Sequence, residues 1–253
     1  MNQTVNTQGA MSGASAARPV WLTIALRELA AFFTSPVAYI VGGLFLIFSG
    51  FLLFSSFFLV NRAELRQFFT LLPMLWAFFI PALTMRLFAD EKRSGTIEIL
   101  FTLPVAPWHA VLGKYLATLV YAIAMLLPTL VYAFSVAAMR NLDWGPVIGG
   151  YLGAIFLASS FAAIGVFASS LTKNQIVAFF IAFGLGIVLV VIHQLLVLLP
   201  AWAVPFLQFV SAGYHFDSIA RGILDSRDII YFISTTALFL VLGVRSLSTR
   251  RIA

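Results

Sequence analysis

Three histidines and nine acidic residues are the groups through which this 253-residue chain could do acid–base or metal chemistry, and none falls into a catalytic spacing. His109 follows Trp108 and reads as an interfacial anchor. His193 sits in the apolar run VVIHQLL, and His215 lies two residues before Asp217, which it could meet, with no second histidine nearby. A zinc protease needs HExxH on one helical face and a serine hydrolase a GxSxG elbow; neither string occurs, nor does an intramembrane aspartate pair. Cysteine is absent, which removes thiolate nucleophiles, cysteine metal sites and disulfides. The one Gly-Lys pair, Gly113-Lys114, is followed by Tyr115 rather than Ser or Thr. It has Trp108 where a phosphate-cradling loop needs glycine, and no GxGxxG occurs. No metal, and no cofactor bound by this chain, is expected.

The elements that carry these residues follow from composition. Hydrophobic residues make up 62% of the chain and charged residues 9%, with a mean hydropathy of +1.03, against about 25% charge in soluble domains. So few charges cannot cover a water-facing surface. That excludes a soluble enzyme, a disordered chain and a nucleic-acid-binding domain, despite a pI near 10.0. A backbone in lipid satisfies its hydrogen bonds in helices or in a closed barrel, and the long apolar runs here are not the short alternating strands of a barrel. The expected fold is an all-α integral membrane protein with six spans, near 37–60, 68–88, 110–138, 146–170, 175–199 and 229–245. Each exceeds or approaches the ~20 residues that cross about 30 Å of hydrocarbon. The third is overlong, and Pro128 supplies a place for it to bend.

Residues 1–17 are small, polar and uncharged, as in a disordered cytoplasmic tail. Residues 18–34 put Thr23, Arg27 and Thr34 on one helical face and Leu22, Leu26, Leu29 and Phe33 on another. They read as an interfacial helix or as the leading end of the first span, and Ser35-Pro36 ends them. With both termini inside, ten Lys and Arg residues face the cytoplasm and five face out, and net charge is +6 within and zero beyond. The excess of basic residues inside favours that topology, with 246–253 as a cytoplasmic C-terminal tail. Two loops are then long enough to hold structure: 86–109 inside and 200–228 outside.

In the inner loop, Arg86 to Arg93 can continue the second span into water, and Gly95 supplies the left-handed residue that stops a helix. Ser94 or Thr96 can cap a short helix through Phe101, with Glu98 in its first turn and Pro104 and Pro107 ending it. Such a helix leaves Ile97, Ile99, Leu100, Phe101 or Leu103 with little to cover them. It is either a docking knob for a cytoplasmic partner or a helix folded onto the bilayer interface. In the outer segment, Pro200, Pro205 and Gly213 divide 200–228 into two short pieces that fit a re-entrant pair. Asp217, Arg221 and Asp225 stand four residues apart and make a charge ladder on a helix. With His215 they are an external gate, or a solvated salt-bridged face. Gly145, Gly149 and Gly153 form two overlapping GxxxG steps, a spacing for close helix packing. His193, polar at membrane depth, marks a structural hydrogen bond or a pathway.

The string FADEKRSGTIEILFTLPV resembles the signature loop of ABC-2 type exporter permeases. The resemblance continues through RELAAFFTSPVAYI, GKYLATL, SSLTKNQIVAF and HFDSIARGILDSRDIIYF, leaves out residues 1–17, and looks most like the gliding-motility F-type branch. Nitrous-oxide-reductase maturation permeases are more distant relatives. It implies a multi-pass protein of the bacterial inner membrane with six spans per subunit, paired with a second permease copy or a related membrane subunit. It further implies a cytoplasmic ABC ATPase, which holds ATP and Mg, on each half, and association with a membrane protein bearing a large extracytoplasmic domain. Nucleic acid has no part in it. Residues 91–103 would be the coupling helix: Glu91, Arg93, Gly95, Thr96 and Glu98 match its motif, and Ile97, Leu100 and Leu103 belong to the same segment. Arg27 and Glu28 would touch the ATPase or that helix.

The expected function is a non-catalytic permease subunit, driven by a separate ATPase, for export or for movement of an extracytoplasmic partner. The rival is an ATPase-independent carrier or an integral-membrane transferase. A carrier places coupling-ion carboxylates at mid-membrane, and the expected spans contain no Asp or Glu. The run from Asp217 to Arg221 faintly resembles phospholipid head-group transferases. Asp225 and Asp228 have the wrong spacing for their metal-binding set, and no glycine follows Asp217.

Overall fold

A computed structural model of the chain describes residues 19–60, 65–98, 105–139, 143–196, 200, 202 and 204–251. Among them the secondary structure is helical, without strands. In chain order the helices are α1 (Val20–Thr34), α2 (Pro36–Val60), α3 (Arg66–Thr84), α4 (Ala89–Ser94), α5 (Pro107–Leu126), α6 (Leu130–Met139), α7 (Trp144–Leu171), α8 (Gln175–Leu195), α9 (Val204–Val210), α10 (Ala212–Ala220) and α11 (Ser226–Arg251). Six stretches are long and apolar enough to cross a membrane: α2, α3 with α4, α5 with α6, α7, α8 and α11. The all-α membrane fold expected from the sequence is the fold observed.

Local sequence sets most of the boundaries. Ser35 is extended and Pro36 opens α2, so α1 remains a separate helix. Pro128 sits in a 3-10 turn, Leu127–Thr129, that joins α5 to α6 within one long crossing. Of the six crossings, α7 is the most buried. Its small residues let α3 and α11 lie close: the Trp76 indole N–H donates to the Ala154 carbonyl at 3.2 Å, and the Ser160 hydroxyl donates to the Phe232 carbonyl at 3.2 Å. Trp76 also stacks on Phe45 at 4.8 Å between ring centroids. Outward faces of α2, α8 and α11 present Phe51, Phe180 and Ile233, which suits contact with lipid.

Four expectations need correction. The second span reaches Arg93, but not as one unbroken helix: α3 ends at Thr84 and residues 85–88 turn before α4 completes the stretch to Ser94. The buried Ser169 hydroxyl accepts from the N–H groups of Phe88 (2.8 Å) and Ala89 (3.2 Å), which restarts the chain as α4. The last helix does not stop at 245. It continues to Arg251, with Leu247 buried and the Ser246 hydroxyl donating to the Ser170 carbonyl at 3.1 Å. Its crossing starts at Ser226 and takes in Asp228, and the α3–α4 crossing takes in Asp90 and Glu91, so the expectation of acid-free spans fails at those ends. The segment expected to be re-entrant contains two short helices, Val204–Val210 and Ala212–Ala220, which part at Ser211, not at Gly213. Ser211 accepts from the Tyr214 N–H at 3.3 Å, while Gly213 lies inside α10 against Val190 and His193 of α8. The expected tail, 1–17, lies outside the described residues.

Candidate functional site

One end of the bundle gathers α1, α4, the starts of α5 and α8, and the ends of α7 and α11. α1 lies against α5, with Phe32 stacked on Tyr121, and leaves Thr23, Arg27 and Thr34 exposed. The approach is tight: a Cβ on Gly113 would stand 2.7 Å from Ile24 Cγ2 and 2.9 Å from the Trp21 carbonyl oxygen. One residue on, Lys114 is only 3% exposed. Its Nζ donates to Glu28 Oε1 at 2.9 Å and to Glu91 Oε1 at 2.7 Å, and lies 5.1 Å from the centroid of the Phe88 ring. A single cation thus joins α1, α4 and α5.

Three successive side chains of α4 reach three different neighbours, as the 100° step of a helix allows. Asp90 accepts from the Gln175 amide at the start of α8, Glu91 meets Lys114 of α5, and Lys92, itself buried, donates to the Ser170 carbonyl at the end of α7. Just before α4, the Arg86 guanidinium donates to the Ser35 hydroxyl at 3.1 Å. The short helix is fastened on several sides at once.

Gly95 then takes the left-handed conformation, φ 77°. Residues 96–98 resume a helix, with the Glu98 N–H donating to the Gly95 carbonyl at 3.1 Å. The Ser94 hydroxyl does not cap that helix. It donates back to the Asp90 carbonyl at 2.9 Å and touches the Thr96 hydroxyl. The expected coupling residues therefore divide. Arg27, Arg93, Gly95, Thr96 and Glu98 are exposed, and Glu28 and Glu91 are turned toward Lys114. Ile97 is packed on the core and not left uncovered. Leu100 and Leu103 lie outside the described residues. Lys114 is the residue that sequence reasoning overlooks, treating it only as part of a failed phosphate loop. The available signal was a lone lysine several residues into an apolar span, which must find a carboxylate.

The opposite end is built around α10. A Cβ on Gly149 would collide with the Ile219 carbonyl, and one on Gly153 would stand 3.2 Å from Ile219 and Phe216 side chains. The GxxxG steps of α7 thus receive α10. Gly145 approaches only its own Asp143 cap and the returning chain at Gly222, which has φ 87°. Asp217 and Arg221 pair across one turn, both at the surface. The third rung of the expected ladder does not form, because α10 ends at Ala220. Asp225 instead accepts from the Arg227 N–H at 3.0 Å at the head of α11. His215 does not meet Asp217 either. Its Nδ1 lies 2.6 Å from Asp228 Oδ1, its Nε2 3.1 Å from the Phe209 carbonyl oxygen, and its ring stacks on Tyr231 at 4.1 Å. Among the described residues, His193 Nδ1 is buried without a hydrogen-bond partner. His109 stacks on Trp108 at 3.8 Å.

Among the described residues no group of three or more His, Asp or Glu could hold a metal ion. No curated protein matches the chain at a significant level. A family model described as ABC-2 family transporter protein matches residues 64–245, which is well over half of the chain and takes in five of the six crossings, α4 and α10. By that match and its six apolar crossings, the chain is a multi-pass membrane permease subunit and belongs to the ABC-2 family of transporter proteins.

Proposed function

We propose that a separate cytoplasmic ABC ATPase, which holds ATP and Mg, docks on the surface formed by Arg27, Arg93, Gly95, Thr96 and Glu98 and works this permease through α4. The observation that carries the reading is the fastening of α4: Asp90, Glu91 and Lys92 each hold a different neighbouring helix. A displacement of the 93–98 segment is then delivered to α1 and α5 through Lys114, to α7 through Ser170 and to α8 through Gln175. At the far end α7 and α11 enclose α10, so rocking of the spans alters the region of His215, Asp217, Arg221 and Asp225, which serves as the external gate. The subunit sits in a bacterial inner membrane with both termini cytoplasmic, paired with a second copy or a related subunit. The resemblance to the gliding-motility F-type branch supports a larger assembly with a partner bearing an extracytoplasmic domain, moved or served by export.

The test is Glu98→Arg in the native assembly. Loss of ATPase binding and of transport-linked ATP turnover, with the permease still in the membrane, is the expected result. Undiminished ATPase binding and turnover would overturn the docking role.

A further inference from the structure

We propose that His215 and Asp228 form a buried proton-binding site that fastens α10 to α9 and α11, and that loss of its proton releases the fastening. The inference rests on hydrogen-bond geometry at the outer end of the bundle and is independent of docking by an ATPase. A carbonyl oxygen only accepts, so His215 Nε2, 3.1 Å from the Phe209 oxygen, carries a hydrogen. An ionised carboxylate also only accepts, and Nδ1 lies 2.6 Å from Asp228 Oδ1, so a second hydrogen lies between them. The pair is therefore an imidazolium beside a carboxylate or a neutral imidazole beside a carboxylic acid. Both hold one proton more than a neutral ring beside a carboxylate.

Removing that proton leaves no satisfactory tautomer. One turns a bare Nε2 on the Phe209 carbonyl, and the other turns a bare Nδ1 on the carboxylate. The residues are 6% and 4% exposed, so water does little to relieve either clash or the uncompensated charge. Among the described residues no Lys or Arg stands in for the proton: Asp228 pairs there only with His215, and its Oδ2 has no hydrogen-bond partner. The surrounding ionisable groups are otherwise engaged or distant. On α11, Tyr231 donates its hydroxyl to the Val210 carbonyl at 2.6 Å, and Arg227 is exposed. On α10, Tyr214 presents its ring edge-on to His215 and Asp217 holds Arg221, while Asp225 caps α11. α8 offers His193, 6.0 Å from the Tyr214 ring. α7 offers Tyr151, which donates to the Thr129 carbonyl, and α3 offers Arg66 at its exposed start. α9 carries no ionisable side chain. One ring thus joins three helices, and only while the proton is present.

Two measurements test this on the full chain in lipid nanodiscs. With His109→Gln and His193→Gln, His215 is the one remaining histidine, and nitrogen NMR follows it alone. Nε2 is expected to carry a hydrogen while the contact is closed, and in Asp228→Asn to carry it beside an unprotonated Nδ1. The amide of that variant donates to Nδ1 of a neutral ring, so the contact closes without the extra proton. A bare Nε2 in the closed contact overturns the assignment. For the release, Ala212→Cys places a thiol at a site 1% exposed in a chain with no native cysteine. Its labelling, relative to Ser218→Cys at the same pH, is expected to rise with pH, by up to about tenfold per pH unit, the factor for opening linked to one proton. Asp228→Asn flattens that rise. A flat ratio in the parent chain, or a rise that survives Asp228→Asn, overturns the latch.

Discussion

Lys114 Nζ stands 2.7 Å from Glu91 Oε1 and 2.9 Å from Glu28 Oε1, and this one ammonium is what three helices share at one end of the bundle. Two carboxylates around one cation leave an excess negative charge, and among the described residues the buried Glu91 Oε2 has no hydrogen-bond partner. Burying ions costs desolvation that their attraction roughly returns, so such a cluster adds little net stability. What it enforces is geometry, because removing one member strands the others.

Lys114→Ala therefore leaves Glu28 and Glu91 facing each other without a cation. The expected loss is about 3–5 kcal/mol, read as a lower unfolding midpoint in detergent. Glu28→Gln removes the surplus charge and keeps a hydrogen-bond acceptor, so its loss is about 1 kcal/mol. If the alanine variant proved no worse than the glutamine variant, the cluster would not be what holds α1 to α4.

Gly149 and Gly145 belong to the same GxxxG run but meet different surroundings. A methyl group at 149 collides with the backbone of α10, which cannot yield as a side-chain tip can, whereas one at 145 approaches only the Asp143 carboxylate at 3.4 Å. Gly149→Ala is expected to destabilise by about 1–3 kcal/mol, and Gly145→Ala by well under half as much. Equal melting temperatures for the two variants would count against α10 as the occupant of that groove.

The features legible in the sequence are those written locally. Apolar length sets the six crossings, Pro128 sets the 3-10 turn, Ser35-Pro36 separates α1 from α2, and Gly95 sets the left-handed stop. The features missed depend on residues far apart in the chain. Ser169 turns the chain at Phe88 from 81 positions away, and Glu28 finds Lys114 from 86 positions away. His215 is a nearer case. Asp217 is its neighbour in sequence, but on a helix a residue two positions on points away from it. The turn at Gly222 brings Asp228 back to the ring instead.

Ser169 offers a direct check on how α4 is held. Its hydroxyl is the acceptor for two buried N–H groups, so Ser169→Ala orphans Phe88 and Ala89 together, at about 1–3 kcal/mol for each group left unsatisfied. Hydrogen exchange at these amides is expected to accelerate, along with that of α4, while the middle of α7 stays protected. Exchange at 88–94 that is unchanged from the parent would mean that Lys92 and Glu91 alone suffice to hold the helix.

The two ends of the bundle are distinguishable without any substrate. Ser94 is exposed beside Gly95 at the end that gathers α1, α4 and the close of α11, whereas Ser218 lies on α10 at the end that gathers the heads of α7 and α11. Among the described residues the first end carries most of the Lys and Arg side chains, so the positive-inside rule makes it the expected cytoplasmic end. Since the chain has no cysteine, single thiols introduced at Ser94 and Ser218 report without background. In sealed, right-side-out vesicles, a membrane-impermeant maleimide is expected to label Ser218→Cys directly, and Ser94→Cys only after the bilayer is opened. The reverse pattern would put α4 outside, where no ATPase could reach it, and the proposed route from nucleotide to permease would be gone.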